Sequence, residues 1–542
     1  MTQRKDAKAL RSQRLPDPWP LFPAMLRVLC VLCVSLPALA AAQVTRPVDA
    51  VHAVAVDVAA LQAQGLDVSG VRYVWNPGGS VEDVALVSFV ANSVLSRSAR
   101  NFAPDVAGSP VQTLADRELI RLDLAGLCDD AAELPELLAL WDRIRNPYFL
   151  IANAGQQKQT VEPYQASDGK TYDYKLVSVP AQFGPHVDLE EAAALQLALA
   201  AGNPIVWTQS LYQSALTQAD GGLYYEFTQV RRSRSESESD RDAWLRGLGV
   251  SSELISTLRA DQRAGLITSK VTGKVRVITL FSVPSRLGVN QGLVSITDDP
   301  LDERVSDPAR DPFLNLLDFQ ADGQEVMAER PNGHLLYLLF DAAGNLVDEA
   351  PPNLVADHEI PRPYTRRLQP AISCIRCHGQ AAEDGWKPFA NEVREIFASG
   401  LGVLEDGTLA EVARLYAGKL DKPLDRARED HSDAIVECVG SAVNADGLPW
   451  QFADVSAALT QRFNEHLYQP VDAARACREL GYDAGEDAVA SLQALLGLPT
   501  SGVEDIRLGL LLLGRSINRA QWELVYLDAA SRAAVTQSAE ED

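Results

Sequence analysis

Residues 371–380 read AISCIRCHGQ and place Cys374, Cys377 and His378 in the spacing C-x-x-C-H. Two thiols and an imidazole this close together could hold zinc, act as a redox dithiol or carry a covalent haem. Structural zinc wants four ligands, usually from paired C-x-x-C units, and the chain has one such unit. His378 adjoins Cys377, so these three residues reach three tetrahedral corners poorly, and an isolated His431 or Cys438 would have to complete the set. A thioredoxin-like C-x-x-C sits at a strand-to-helix turn, whereas here a Pro-rich stretch precedes the motif and helical patterns follow it. Haem c needs two thiols spaced for the two vinyl groups of one porphyrin, with an imidazole next door as proximal iron ligand. The spacing therefore points to haem c, with thioethers at Cys374 and Cys377 and His378 on the iron.

The opposite side of the iron is less determined. The three methionines are Met1, Met25 and Met327, so none lies downstream of His378. Candidates for the second axial ligand are Met327, His334 and His358 upstream, and His431 and His466 downstream. Met327 and His358 are the upstream candidates singled out, and an open position stands beside them. Two strong ligands suit electron transfer, whereas an open iron allows peroxide or small-gas chemistry.

Haem c attachment also asks for a compartment outside the cytoplasm. A basic segment with Arg4, Lys5, Lys8, Arg11 and Arg14 precedes a mostly apolar run over residues 26–36 and small residues at Ala38, Ala40 and Ala42. That is the layout of a cleaved secretory signal over 1–42, with Met25 as an alternative start. The expected location is the periplasm or the medium, with no membrane span left after cleavage. The 542-residue chain carries a net charge of −24, and removing the +4 of the leader leaves −28. A chain this acidic has no basic field to collect phosphates, which argues against nucleic acid and fits a basic redox partner protein.

The elements around the motif read as α+β. Residues 43–230 form an N-terminal α+β region, irregular with short strands over 43–80, with helices expected over 81–98, 131–149 and 188–202 and a strand over 117–126. Residues 231–242, RRSRSESESDRD, read as a charged loop or linker. Residues 243–351 form a β-containing centre, with a strand at 274–283 and two short strands around a turn over 334–351. Residues 352–535 form a mainly helical, haem-bearing region, and 536–542 an acidic tail. Cys128, Cys438 and Cys477 are far apart in sequence and read as single thiols rather than a disulfide scaffold.

The run PNGHLLYLLFDAAGNLVDEAPPNLVADHE, followed by ISCIRCHG, resembles the haem segment of a family of large, exported, single-haem c-type cytochromes from bacteria. The likeness rests on Asn332 and Gly333 in a turn, on Asp348, Ala350 and Pro351, and on Ser373 to His378. GNPIVWTQSLYQ, FVANSVLSRS and RAQWELVY extend it over most of the mature chain. The resemblance implies haem attachment but no substrate and no sixth ligand. It also implies an apolar residue in the Met327 slot, which moves Met327 toward core packing, and an apolar residue where His334 stands.

The expectation is therefore an exported α+β protein with one covalent haem c that transfers electrons. One alternative is a haem-dependent oxidase, peroxidase or gas sensor with an open iron. Another is a partner- or carbohydrate-binding protein with an accessory haem, for which a shared cleft lined by Trp141, Trp207 and Trp244 would speak.

Overall fold

A computed structural model describes residues 47–146, 164–165, 171–172, 195–235, 237–261, 263–268, 275–283, 292–299, 321–350, 355–379, 421–482, 484–498 and 505–541. Contacts divide the chain after Ala42, and the description below concerns the unit Gln43–Asp542. The fold is α+β: helices and two main sheets. The parts of the expected helix over 131–149 beyond Asn146, the helix 188–202 before Leu195, and the helical patterns at 389–400 and 409–420 lie outside the described residues.

The first sheet joins β1 (Val71–Trp75), β2 (Val111–Leu114), β3 (Leu119–Asp123) and β4 (Ile205–Trp207) in the order β2-β3-β1-β4. β1 runs antiparallel to β3 and parallel to β4. Side chains alternate across a strand, so Tyr73 and Trp75 enter one core while Val74 enters another. The sheet thus forms a wall between two cores.

One side of that wall packs on α1 (Pro47–Ala63) and on C-terminal helices that end with Arg519–Glu541. The irregular structure expected over 43–80 is corrected here. Ala50, Val51, Val54, Val58 and Leu61 are all buried, at the spacing of one helical face. Of its 17 residues 11 are Val or Ala, so its period is hard to see in composition. Pro47 opens the helix and Asp49 lies in its first turn, as the helix dipole favours.

The second sheet is an antiparallel meander of β5 (Arg263–Thr268), β6 (Val275–Val283), β7 (Gly292–Asp299), β8 (Gly323–Glu329) and β9 (Leu335–Asp341). The Asn-Gly turn joins β8 to β9, with Arg330 N donating to His334 O at 2.8 Å. Gly333 has φ +81°, and a Cβ there would lie 2.6 Å from Asp430 O, so the turn seats closely on the helix α5 (Asp421–Val439). After β9 the described chain makes isolated bridges, Phe340 to Leu346 and Ala350 to Leu368, where a second short strand was expected.

The other core draws on this sheet together with α2 (Val81–Val90), α3 (Thr208–Leu216), α5 and α6 (Phe452–Phe463). Ser80 caps α2 by accepting from Asp83 N at 3.2 Å. The expected amphipathic helix over 81–98 is buried from Asp83 to Ser96 and closes in a widened turn at Ala91–Leu95. In the charged run, Ser239 starts a helix over Asp240–Gly247 by accepting from Asp242 N. Both cores mix residues from the N-terminal and C-terminal stretches of the chain. No helix among the described residues is long and apolar enough to cross a membrane.

Candidate metal centre

The motif folds as the helix α4 (Ile372–His378). Seven residues are too few for a helix to stand alone in water, so tertiary contacts must hold this one. The chain enters it through Ala371 at φ 62°, in the left-handed region that a Cβ disfavours by about 1–3 kcal/mol. Positions three and four apart share a helix face. Cys374 therefore shares a face with Cys377 and His378, and these three are the partly exposed residues of α4.

The opposite face is buried and polar. Asp357 receives a hydrogen bond from Ser373 Oγ at 2.7 Å and an ion pair from Arg376 at 2.8 Å. The Arg376 and Asp357 side chains are 3% and 2% exposed, so this pair is shut off from water. Ser373 Oγ also accepts from Gln369 N at 3.0 Å, and the Arg376 guanidinium lies 5.6 Å from the Phe463 ring centre. A third restraint comes from α6. Ser456 Oγ donates to Ile375 O at 3.0 Å. Gly379, the residue closing α4, passes so near that an added Cβ would lie 2.3 Å from Ser456 Cβ.

The second sheet supplies the surroundings of the thiol face. The Tyr337 ring on β9 lies 5.9 Å from the His378 ring, tilted by 38°. Directly opposed strand residues share a sheet face, and Tyr337 opposes Met327 on β8. Burial first, then the charges of Glu325 and Cys377, push the Cys374 thiol pKa well up, so it stays protonated at neutral pH. Cys374 also packs on the cluster of Leu339, Ala350, Val355 and Leu368. Cys374 and Cys377 are not joined in a disulfide.

These features suit the thioether role: two thiols on one face, an imidazole beside them, and a back face fixed by polar contacts. Residues 380–420, which follow the motif directly, lie outside the described residues.

The five candidates for the sixth ligand separate. Met327 is 8% exposed and stands directly opposite Tyr337, whose ring lies against His378. His358 is exposed, with its Nδ1 3.3 Å from the Arg366 guanidinium, and its neighbour Asp357 serves the face of α4 away from the thiols. His334 and His431 are buried with ring centres 6.1 Å apart. His466 lies against Trp207 at 5.2 Å and near Glu523 at 3.8 Å. Burial first, then the positive charges of Arg519, Arg475 and Arg145, push its pKa well down.

The sequence reading missed Asp357, Tyr337 and Ser456. Their roles depend on partners up to 81 positions away, and no local pattern marks them. The three tryptophans do not converge: Trp141 and Trp244 belong to one core and Trp207 to the other. Comparison with family models, curated proteins and solved structures gives no match to this chain.

Proposed function

We propose that this chain is an exported c-type cytochrome that carries one covalent haem and transfers electrons. The observation that carries the reading is the division of α4. Its thiol and imidazole residues share the partly exposed face, while Ser373 and Arg376 lock the other face to a buried carboxylate. Cys374 and Cys377 would hold the haem through thioethers, and His378 would bind its iron. When bound, the haem supplies a one-electron couple. The chain's own residues keep His378 in place. Tyr337 packs against its ring, and the Asp357 lock stops the helix from turning. The acidic surface of the mature chain suits a basic redox partner, and the leader suits export to the periplasm or the medium.

The test is made on chain recovered from the periplasm of a host that matures c-type cytochromes. Haem should stay with the polypeptide through acid-acetone extraction, and a pyridine haemochrome assay should give one haem per chain. A Cys374→Ala, Cys377→Ala chain should have none. Extractable haem, or an unchanged haem content in that double variant, would overturn covalent attachment. A low-spin ferric spectrum that resists cyanide and carbon monoxide supports electron transfer, and a high-spin spectrum with rapid ligand binding would replace it with open-iron chemistry.

A further inference from the structure

Behind the motif helix lies a cavity of about 10 Å³ whose lining includes Ser93, His334, Tyr337 and His431. None of the four is more than 5% exposed. Five of their polar atoms have no hydrogen-bond partner among the described residues: Ser93 Oγ, both ring nitrogens of His334, the Tyr337 hydroxyl and His431 Nε2. Buried polar atoms are nearly always satisfied, so five orphans around one cavity call for an occupant.

The hydrogen-bonding capacity of the walls selects its chemistry. His431 Nδ1 lies 3.2 Å from Gly333 O, a contact that requires the proton on Nδ1 and leaves Nε2 as an acceptor. A neutral His334 offers one more acceptor and one donor, while the Ser93 and Tyr337 hydroxyls can each donate. A molecule with two donors and two acceptors can meet four of the five atoms at once, both acceptors and two of the three donors, and the volume admits about one water. A cation fits poorly. No carboxylate or thiol lines the cavity among the described residues. The buried Arg330 guanidinium, which donates to the carbonyls of Ser93 and Ser96, acts on His334 with a positive field.

We propose that the Ser93–His334–Tyr337–His431 cavity is a binding site for one neutral hydrogen-bonding molecule, with water as its resident. The occupant joins the turn after α2, the strand β9 and the helix α5 through hydrogen bonds. Ala371 and Ile375 bring α4 against the same cavity, so the molecule forms part of the support behind the motif. None of its four polar side chains belongs to the motif, and the site requires that neither His334 nor His431 binds iron.

The test is a crystal structure of the full mature chain, collected with anomalous data at the copper and zinc edges. One non-anomalous density peak should lie within hydrogen-bond distance of at least three of the five atoms. A Ser93→Ala chain removes one donor and should lower the occupancy of the peak or raise its displacement. A His334→Leu, His431→Leu chain should lack the peak altogether. If that chain does not fold, Ser93→Ala together with the ring nitrogen shifts of the parent protein carries the test. Those shifts should show both imidazoles neutral, with His431 Nε2 unprotonated and accepting. An empty cavity, an anomalous peak between the imidazoles, or a charged His431 at neutral pH would each overturn the assignment.

Discussion

Asp357 offers the sharpest perturbation of the motif. In Asp357→Asn the side chain keeps an oxygen for Ser373 but loses the charge that balances Arg376. The guanidinium is 3% exposed, and its other polar side-chain contacts include the neutral groups Asn464 Oδ1 at 3.4 Å and the Tyr468 hydroxyl. An uncompensated charge in such a place costs about 3–5 kcal/mol. Removing both charges is different. In Asp357→Leu with Arg376→Met, apolar volume replaces the pair, and the double variant should lie within about 2 kcal/mol of the parent. In the cycle built from Asp357→Leu, Arg376→Met and their double, two singles at about 3–5 kcal/mol each against a double within about 2 kcal/mol give a coupling of at least about 4 kcal/mol. Urea unfolding followed by tryptophan fluorescence reads the stabilities, and the haem-to-polypeptide ratio reads the presentation of the thiols. Asp357→Asn should lower both. A loss below about 1 kcal/mol in Asp357→Asn, or a double variant as unstable as the two singles added together, would refute the lock.

Three further expectations rest on separate contacts. Gly379→Ala forces a Cβ to within 2.3 Å of Ser456 Cβ and should destabilise the chain by about 1–3 kcal/mol; adding Ser456→Gly should recover part of the loss, and no recovery would place the strain elsewhere. Burial holds the His431 pKa down to about 4 from the ordinary 6.5, so the unfolded chain binds more protons between those values, and stability should fall as pH drops from 6.5 to 4, by about 3 kcal/mol in full. His431→Gln should lose that share of the pH slope in urea unfolding, and parallel slopes in the two chains would contradict a neutral buried imidazole. His358→Ala should leave the ferric spectrum unchanged, because His358 is exposed against Arg366; a shift to high spin would show that it reaches the iron.

The motif was legible because its chemistry lies in neighbouring residues. The strand at 275–283 was legible for the same reason: alternation and β-branched content mark it. The supports of the motif were not. Asp357 is 19 positions from Arg376, and Ser456 is 81 from Ile375. His334 and His431 meet because Gly333 lets the turn approach α5, and a glycine in a turn does not say what it approaches. The Val- and Ala-rich helix at 47–63 was lost for another reason. Valine favours strands in isolation, and its burial against the C-terminal helices overrides that preference.

The supports also bear on which iron chemistry the proposed haem would favour. A seven-residue helix has little stability of its own, so the direction of His378 is set by what touches α4. Three contacts do so from different elements: the Asp357 lock from the preceding loop, Ser456 from α6, and the Tyr337 ring from β9. Together they oppose rotation, lift and slide of the imidazole. An electron-transfer centre gains from a ligand that keeps one geometry in both oxidation states, because less structure then reorganises with each electron. If His378 binds a haem iron as proposed, this arrangement favours electron transfer over open-iron chemistry. Loosening it separates the readings. In Asp357→Asn, an electron carrier should retain haem-bound chain with a broadened or shifted potential. If the potential stays unchanged while haem content falls, the lock serves attachment alone and lends no support to electron transfer.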